Sequence, residues 1–154
     1  MLVESALVTT PEADATTVTG VVQDRQTNTT VPIRTFASVR PPLAAFPGLL
    51  NPALAGVKAY KATSGQTTTQ AMAEAQGETD RLADIVTVDG ELDIARYGTL
   101  LKARGLVGMR GMGFTYDGLY YVKSVTSKVT RDGFSQKFSA TREGTGSTVP
   151  VVRV

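Results

Sequence analysis

Short apolar runs cut by Gly, Pro, Asn and Asp dominate the chain, a pattern of strands joined by turns. Such runs predict strands at residues 2–9, 17–23 and 31–36, with a polar turn at 24–28. Gly20 marks a candidate bulge, and Pro32 marks its strand for a sheet edge because Pro donates nothing to a ladder. Residues 41–56 carry Pro41, Pro42, Pro47 and Pro52, which excludes a continuous helix or a central strand. This stretch reads as an extended apolar arm. Its Leu43, Phe46, Leu49, Leu50 and Leu54 need burial, against this domain or a neighbouring chain. A further strand is expected at 57–63.

One segment switches to helical spacing. Over 67–86, Met72, Ala75, Thr79, Leu82 and Val86 recur at steps of three and four, a single stripe with a polar back. Thr67 and Gln70 fit a Thr-x-x-Gln capping box at its start, although Gly77 weakens it. After it, 85–92 reads as a short strand around an Asp89-Gly90 turn signal, and 93–104 is ambiguous between a short helix and a loop.

From residue 106 the pattern becomes a meander. Strands are expected at 106–114, 119–130 and 134–142, separated by Asp117-Gly118 and Asp132-Gly133. In the last of these, Phe134, Gln136, Phe138 and Ala140 share one face, and Ser135, Lys137, Ser139 and Thr141 share the other. Residues 145–148 read as a linker. Val149, Val151, Val152 and Val154 then form an apolar tail, suited either to strand addition on a partner or to folding back as an edge strand. The expected fold is α+β and mainly β: a β-barrel or twisted antiparallel sheet with one packed helix and extended arms. Residues 1–144 form a single β-rich domain with the Pro-rich arm at 41–56, and 145–154 form an extended C-terminal tail.

Composition narrows the chemistry. Thr is the commonest residue among the 154, and Cys, His and Trp are absent. Without His or Cys there is no Ser-His-Asp or Cys-His catalysis, no disulfide and no ordinary zinc site. The net charge of +2 is small for a nucleic-acid footprint, though residues 81–154 alone carry +4. No segment reaches the roughly 18 apolar residues that span a bilayer, so no membrane association is expected. Residues 1–10 lack a basic n-region, so no signal peptide is expected and the cytoplasm is the expected compartment.

Three constellations invite a functional reading. Gly105, Gly108, Gly111 and Gly113 form a glycine cluster that matches no phosphate-loop pattern, and a strand-like segment follows it where a phosphate loop opens a helix. Tight backbone approach in a twisted sheet accounts for it better. Asp89, Glu91 and Asp93 alternate as a calcium-binding strand would, but without the EF-hand glycine and glutamate, and a solvated turn accounts for them. Arg104, Arg110, Lys123, Lys128, Arg131, Lys137 and Arg142 run beside Phe114, Tyr116, Tyr120, Tyr121, Phe134 and Phe138. Basic residues among aromatics can bind single strands by stacking. Inward-pointing Phe134 and Phe138 argue for core instead.

The stretch 88–144 carries Gly90-Glu91-Leu92, Arg96-Tyr97-Gly98, Gly111-x-Gly113, Tyr116-Asp117-Gly118-Leu119-Tyr120-Tyr121-Val122 and Ser124-Val125-Thr126. Phe134-x-Gln136-x-Phe138 and Arg142-Glu143-Gly144 follow. In order and spacing this resembles the C-terminal part of the phage late control protein D family, the baseplate hub proteins of contractile phage tails and related contractile injection systems. Thr17-Val18-Thr19-Gly20, Asp24 and Pro32-Ile33 fit less specifically. Two departures stand out. Many relatives carry His where this chain has Ser127, and family hubs are much longer, with another barrel-containing half upstream.

The resemblance implies a structural subunit, not an enzyme, with no catalytic, cofactor or metal residues. It implies a homo-oligomeric ring, a trimer, with the tail tube and the central spike as partners, and a separate N-terminal hub half as a further one. Assembly would occur in the bacterial cytoplasm, and the product would reside in a virion or tail-like particle. Leu43, Phe46, Leu49 and Leu50 of the arm and Val149, Val151, Val152 and Val154 of the tail are the candidate interface. The competing expectation is a monomeric β-barrel module that binds nucleic acid or cell-wall glycan through an exposed Tyr120 or Tyr121. A carboxylate enzyme is a third class.

Overall fold

The computed structural model describes residues 5–9, 15–131 and 133–148. It is mainly β, with one long helix, as the pattern predicts. Its contacts group the chain into two compact units. One comprises residues 1–12, 42–47 and 85–154; the other comprises 13–41 and 48–84.

The second unit is a two-layer α/β arrangement. Strands β2 (Ala15–Gln23), β3 (Thr30–Arg34) and β5 (Ala55–Lys61) form a sheet of order β3-β2-β5, with β2 antiparallel to β3 and parallel to β5. Pro32 therefore stands on an edge strand, as expected. Gly20 holds regular register with Ile33 and Tyr60, so the expected bulge is absent there. A 3-10 turn, Gly48–Leu50, precedes β5.

Helix α1 (Thr68–Leu82) begins with the predicted capping box: Gln70 N donates to Thr67 Oγ1, and Thr67 N donates to Gln70 Oε1. Its buried side is Ala71, Ala75 and Thr79, whereas Met72 is 41% exposed. Ala75, Thr79 and Leu82 of the expected stripe face the core, and within the helix only its first member differs, Ala71 standing there in place of Met72. Alanines at 71 and 75 let the helix pack close to Val18, Val22 and Ile33, which favours them over the bulkier Met72 at the contact. The helix rests on this mixed sheet, with Tyr60, Val31 and Leu82 closing the core.

The first unit is a five-stranded antiparallel sheet of order β1-β6-β9-β8-β7. Its strands are β1 (Ser5–Thr9), β6 (Val86–Asp93), β7 (Leu106–Met109), β8 (Gly118–Val129) and β9 (Phe134–Arg142). Strand β6 runs straight through Asp89-Gly90, where the sequence signals a turn. Pairing with β1 on one side and β9 on the other, eight register pairs long, overrides the local preference. A bulge at Lys123 shifts the β8–β9 register between Val122 and Ser124. The apolar face gathers Val86, Val88, Leu92, Val107, Met109, Tyr120, Val122, Phe138 and Ala140, all buried.

Asp93 caps the short helix α2 (Ile94–Tyr97), which Gly98 closes in the left-handed conformation. This resolves the ambiguity at 93–104 in favour of one helical turn followed by a loop. A second sheet of two strands pairs β4 (Ala44–Pro47) with β10 (Gly144–Ser147). The expected linker at 145–148 is thus largely ladder, and the Pro-rich arm contributes a strand. The tail residues Val149, Val151, Val152 and Val154 lie outside the described residues.

Candidate functional site

Among the described residues, much of the stretch 111–146 converges on one side chain. Arg142 ends β9 on the apolar face and is fully buried. Its Nε donates to Gly144 O (2.9 Å), Nη2 to Thr115 O (2.9 Å), and Nη1 to Asp117 O (3.0 Å) and Gly146 O (3.3 Å). The guanidinium also stands over the Tyr120 ring, 4.6 Å from its centroid. Arginine suits this role because its planar fork aims several donors at once and stacks on aromatic faces.

The loop before β8 is shaped for the same purpose. Gly111 and Gly113 both have positive φ, which ends β7 at Met109, short of the expected strand at 106–114. Tyr116 N and Asp117 N donate to Gly113 O, and the Asp117 carboxylate accepts from Met112 N at 2.8 Å. That folded loop turns the Thr115 and Asp117 carbonyls toward Arg142. The Tyr120 hydroxyl closes the loop by donating to Tyr116 O (2.6 Å). Burial pushes the Tyr120 phenol pKa up and the Arg142 guanidinium pKa down, with the charges of Tyr120, Glu143 and Asp117 partly opposing the latter.

The next residue extends the node to the Pro-rich arm. The Glu143 carboxylate accepts from Leu43 N and, at 2.8 Å, from Ala44 N. The Thr148 hydroxyl donates to Leu43 O (3.1 Å). Thr145 pairs with Phe46, and Gly144 with Pro47. Arg142-Glu143-Gly144 therefore clamps a loop on one side and a strap on the other.

The remaining sequence candidates are scattered. Gly90 and Glu91 lie mid-strand in β6. Asp89, Glu91 and Asp93 are spread along its solvent face, so the expected solvated turn is a strand face instead. Asp89 and Glu91 line a shallow groove of about 560 Å³ with Leu7, Thr126, Lys137 and Ser139. Glu91 and Lys137 face each other across it at 4.0 Å. Among the described residues no group of three or more acidic side chains is placed to hold a metal ion. Tyr97 and Gly98 end α2, away from the loop that Arg142 holds in sequence.

Of the glycine cluster, only Gly108 lies within a strand; Gly111 and Gly113 serve the turn. The basic and aromatic set divides sharply. Tyr120, Phe138 and Arg142 are buried, and Tyr121 and Phe134 are half-buried. A stacking platform built on Tyr120 is therefore closed. On the arm, Leu43 and Leu49 are half-buried, while Phe46 and Leu50 are 66% and 77% exposed.

Gln136, expected on the inward face of β9, is not read as a candidate site residue from the sequence. It is buried on the apolar face of β9, where its Oε1 accepts from Leu101 N (2.9 Å) and its Nε2 donates to Ser127 Oγ (2.9 Å) and Leu101 O (3.4 Å). A glutamine at an inward position of an alternating strand was the available signal.

No family model matches the chain, and no curated protein matches it. Among solved structures it is similar to the prophage MuSo2 43 kDa tail protein from Shewanella oneidensis, at 13% identity and a TM-score of 0.48. The alignment covers 93% of this chain and 41% of that one, so this chain spans less than half of that protein's length.

Proposed function

We propose that the chain is a structural subunit of the baseplate hub of a contractile phage tail or phage-tail-like injection system, joining the tail tube to the central spike. The observation that carries this reading is the convergence of the hub-like motif on architecture. Tyr116, Asp117, Gly118, Tyr120 and Arg142-Glu143-Gly144 all serve to lock a loop and a strap onto one sheet. Residues that resemble a family's motif and hold backbone in place suit an assembly protein. The subunit works as a homo-oligomeric ring, a trimer, with the exposed arm residues Phe46 and Leu50 and the tail valines Val149, Val151, Val152 and Val154 at its contacts.

Sedimentation of native lysate, with this chain followed by mass spectrometry, tests the reading. Co-migration with sheath and tube proteins in the heavy fractions is the expected result. Confinement to the light soluble fractions overturns it. Deletion of residues 149–154 is expected to abolish incorporation into particles while leaving the domain folded.

A further inference from the structure

The strap has the anatomy of an exchangeable strand. Residues 42–47 belong by their contacts to one compact unit, while the chain on both sides of them, 13–41 and 48–84, belongs to the other. The strap is bounded by Pro41 and Pro42 at one end and Pro47 at the other, and residues before Pro are held extended. Its receptor is built from side chains and backbone of residues 143–148. The Glu143 carboxylate presents an acceptor to two strap amides, Thr148 presents a donor to Leu43 O, and β10 presents a ladder edge. Gly144 and Gly146 leave bare backbone where the strap's Phe46 lies, so the receptor is shaped for this one segment.

Receptor and strap are about 100 positions apart in sequence, as the Leu43–Glu143 bond shows. Covalent connection favours pairing within one chain through effective concentration. A ring that holds identical copies side by side supplies a comparable local concentration. The same hydrogen bonds are then open to a neighbouring chain, which is the general route to strand exchange.

We infer that β4 is an exchange strand: in the assembled protein, the 42–47 strap of one copy occupies the Glu143 and β10 receptor of the next. The partner is a second copy of this chain, recognised by two backbone amides, one carbonyl and the Phe46 ring. The inference rests on the ring-assembly reading above.

The chain has no cysteine, so introduced thiols report cleanly. Ala44 and Ser147 are antiparallel partners, at a spacing a disulfide bridges. Full-length Ala44→Cys and Ser147→Cys chains, distinguishable by mass, are co-expressed, sized by sedimentation and oxidised. The double variant serves as the within-chain control. Exchange predicts a disulfide dimer of unlike chains as the main product of the assembled fraction. An assembled fraction in which the pair closes only within one chain, or not at all, overturns exchange and leaves the hub reading standing. A chain that sediments only as monomer overturns both.

Discussion

The guanidinium of Arg142 sits 4.6 Å from the centre of the Tyr120 ring, and both side chains are fully buried. A buried cation persists only where its donors are matched and its charge is met. Here four carbonyls take the donors and an aromatic face meets the charge. Replacing Arg142 by Leu removes all four bonds, although Thr115 O keeps the Gly146 amide, at a cost of about 1–3 kcal/mol for each carbonyl left unpaired. Lysine carries the charge without the fork, so Arg142→Lys is expected to recover only part of that loss. Denaturant unfolding followed by tyrosine fluorescence checks the order. A Lys variant as stable as the parent would refute the role of the fork.

Gly118 is tied to the same arginine. Its φ is +137°, and a Cβ there would stand 2.7 Å from Arg142 Nη1. A long side chain normally moves aside for a new methyl group, but this one is held by four carbonyls. Gly118→Ala therefore combines backbone strain with displacement of the guanidinium, about 2–3 kcal/mol in all. The two positions act through one network, so their effects are expected to be well short of additive. A double-variant cycle measures the shortfall, and strict additivity would separate the two residues.

The sequence pattern gives the strand meander, the capping box and the inward face of β9, because these depend on neighbours a few residues apart. It places a strand at 85–92 but sees a turn signal within it at Asp89-Gly90, where ladders with β1 and β9 outweigh the local preference. It places Ala75, Thr79 and Leu82 on the buried side of the helix but takes Met72 for Ala71, since hydrophobicity alone does not say that small residues suit the closest approach. The candidate site was visible only as motif. Arg142 reads as one of seven basic residues until its partners at Thr115, Asp117, Gly144 and Gly146 are seen, and Gln136 meets Leu101 across 35 positions. Long-range polar pairing leaves no periodic trace.

A second buried polar pair tests the other unit. Val18 N donates to Thr35 Oγ1 at 2.8 Å, and the hydroxyls of Thr35 and Thr79 lie 2.5 Å apart. Thr35→Val leaves the Val18 amide buried without that acceptor, a loss of about 1–3 kcal/mol. Thr79→Val leaves Thr35 still bonded to Val18, so a smaller loss of about 1 kcal/mol is expected. Far-UV circular dichroism during urea unfolding reports α1 directly. If Thr79→Val costs as much as Thr35→Val, the backbone bond is not the dominant one.

The ion pairs on α1 make a prediction about acid. Glu78 accepts from Arg81 within the helix and from Lys58 on β5, with N–O distances of 2.7 and 2.6 Å. Hydrogen bonds from Arg81, then Lys58, lower its carboxyl pKa from 4.5 to about 2. A carboxylate with a depressed native pKa stabilises the fold above its unfolded pKa and loses that contribution as pH falls toward the native value. The window therefore runs from about pH 4.5 down to about pH 2. Lys58 and Arg81 are 50% and 66% exposed, so solvent screening reduces the contribution to about 1 kcal/mol. Glu78→Gln is expected to be less stable than the parent at neutral pH, and the gap is expected to close across that window. It is also expected to shrink at high salt, as screened surface charges require. A gap that stays constant through the acid range would mean that Glu78 acts through packing rather than charge.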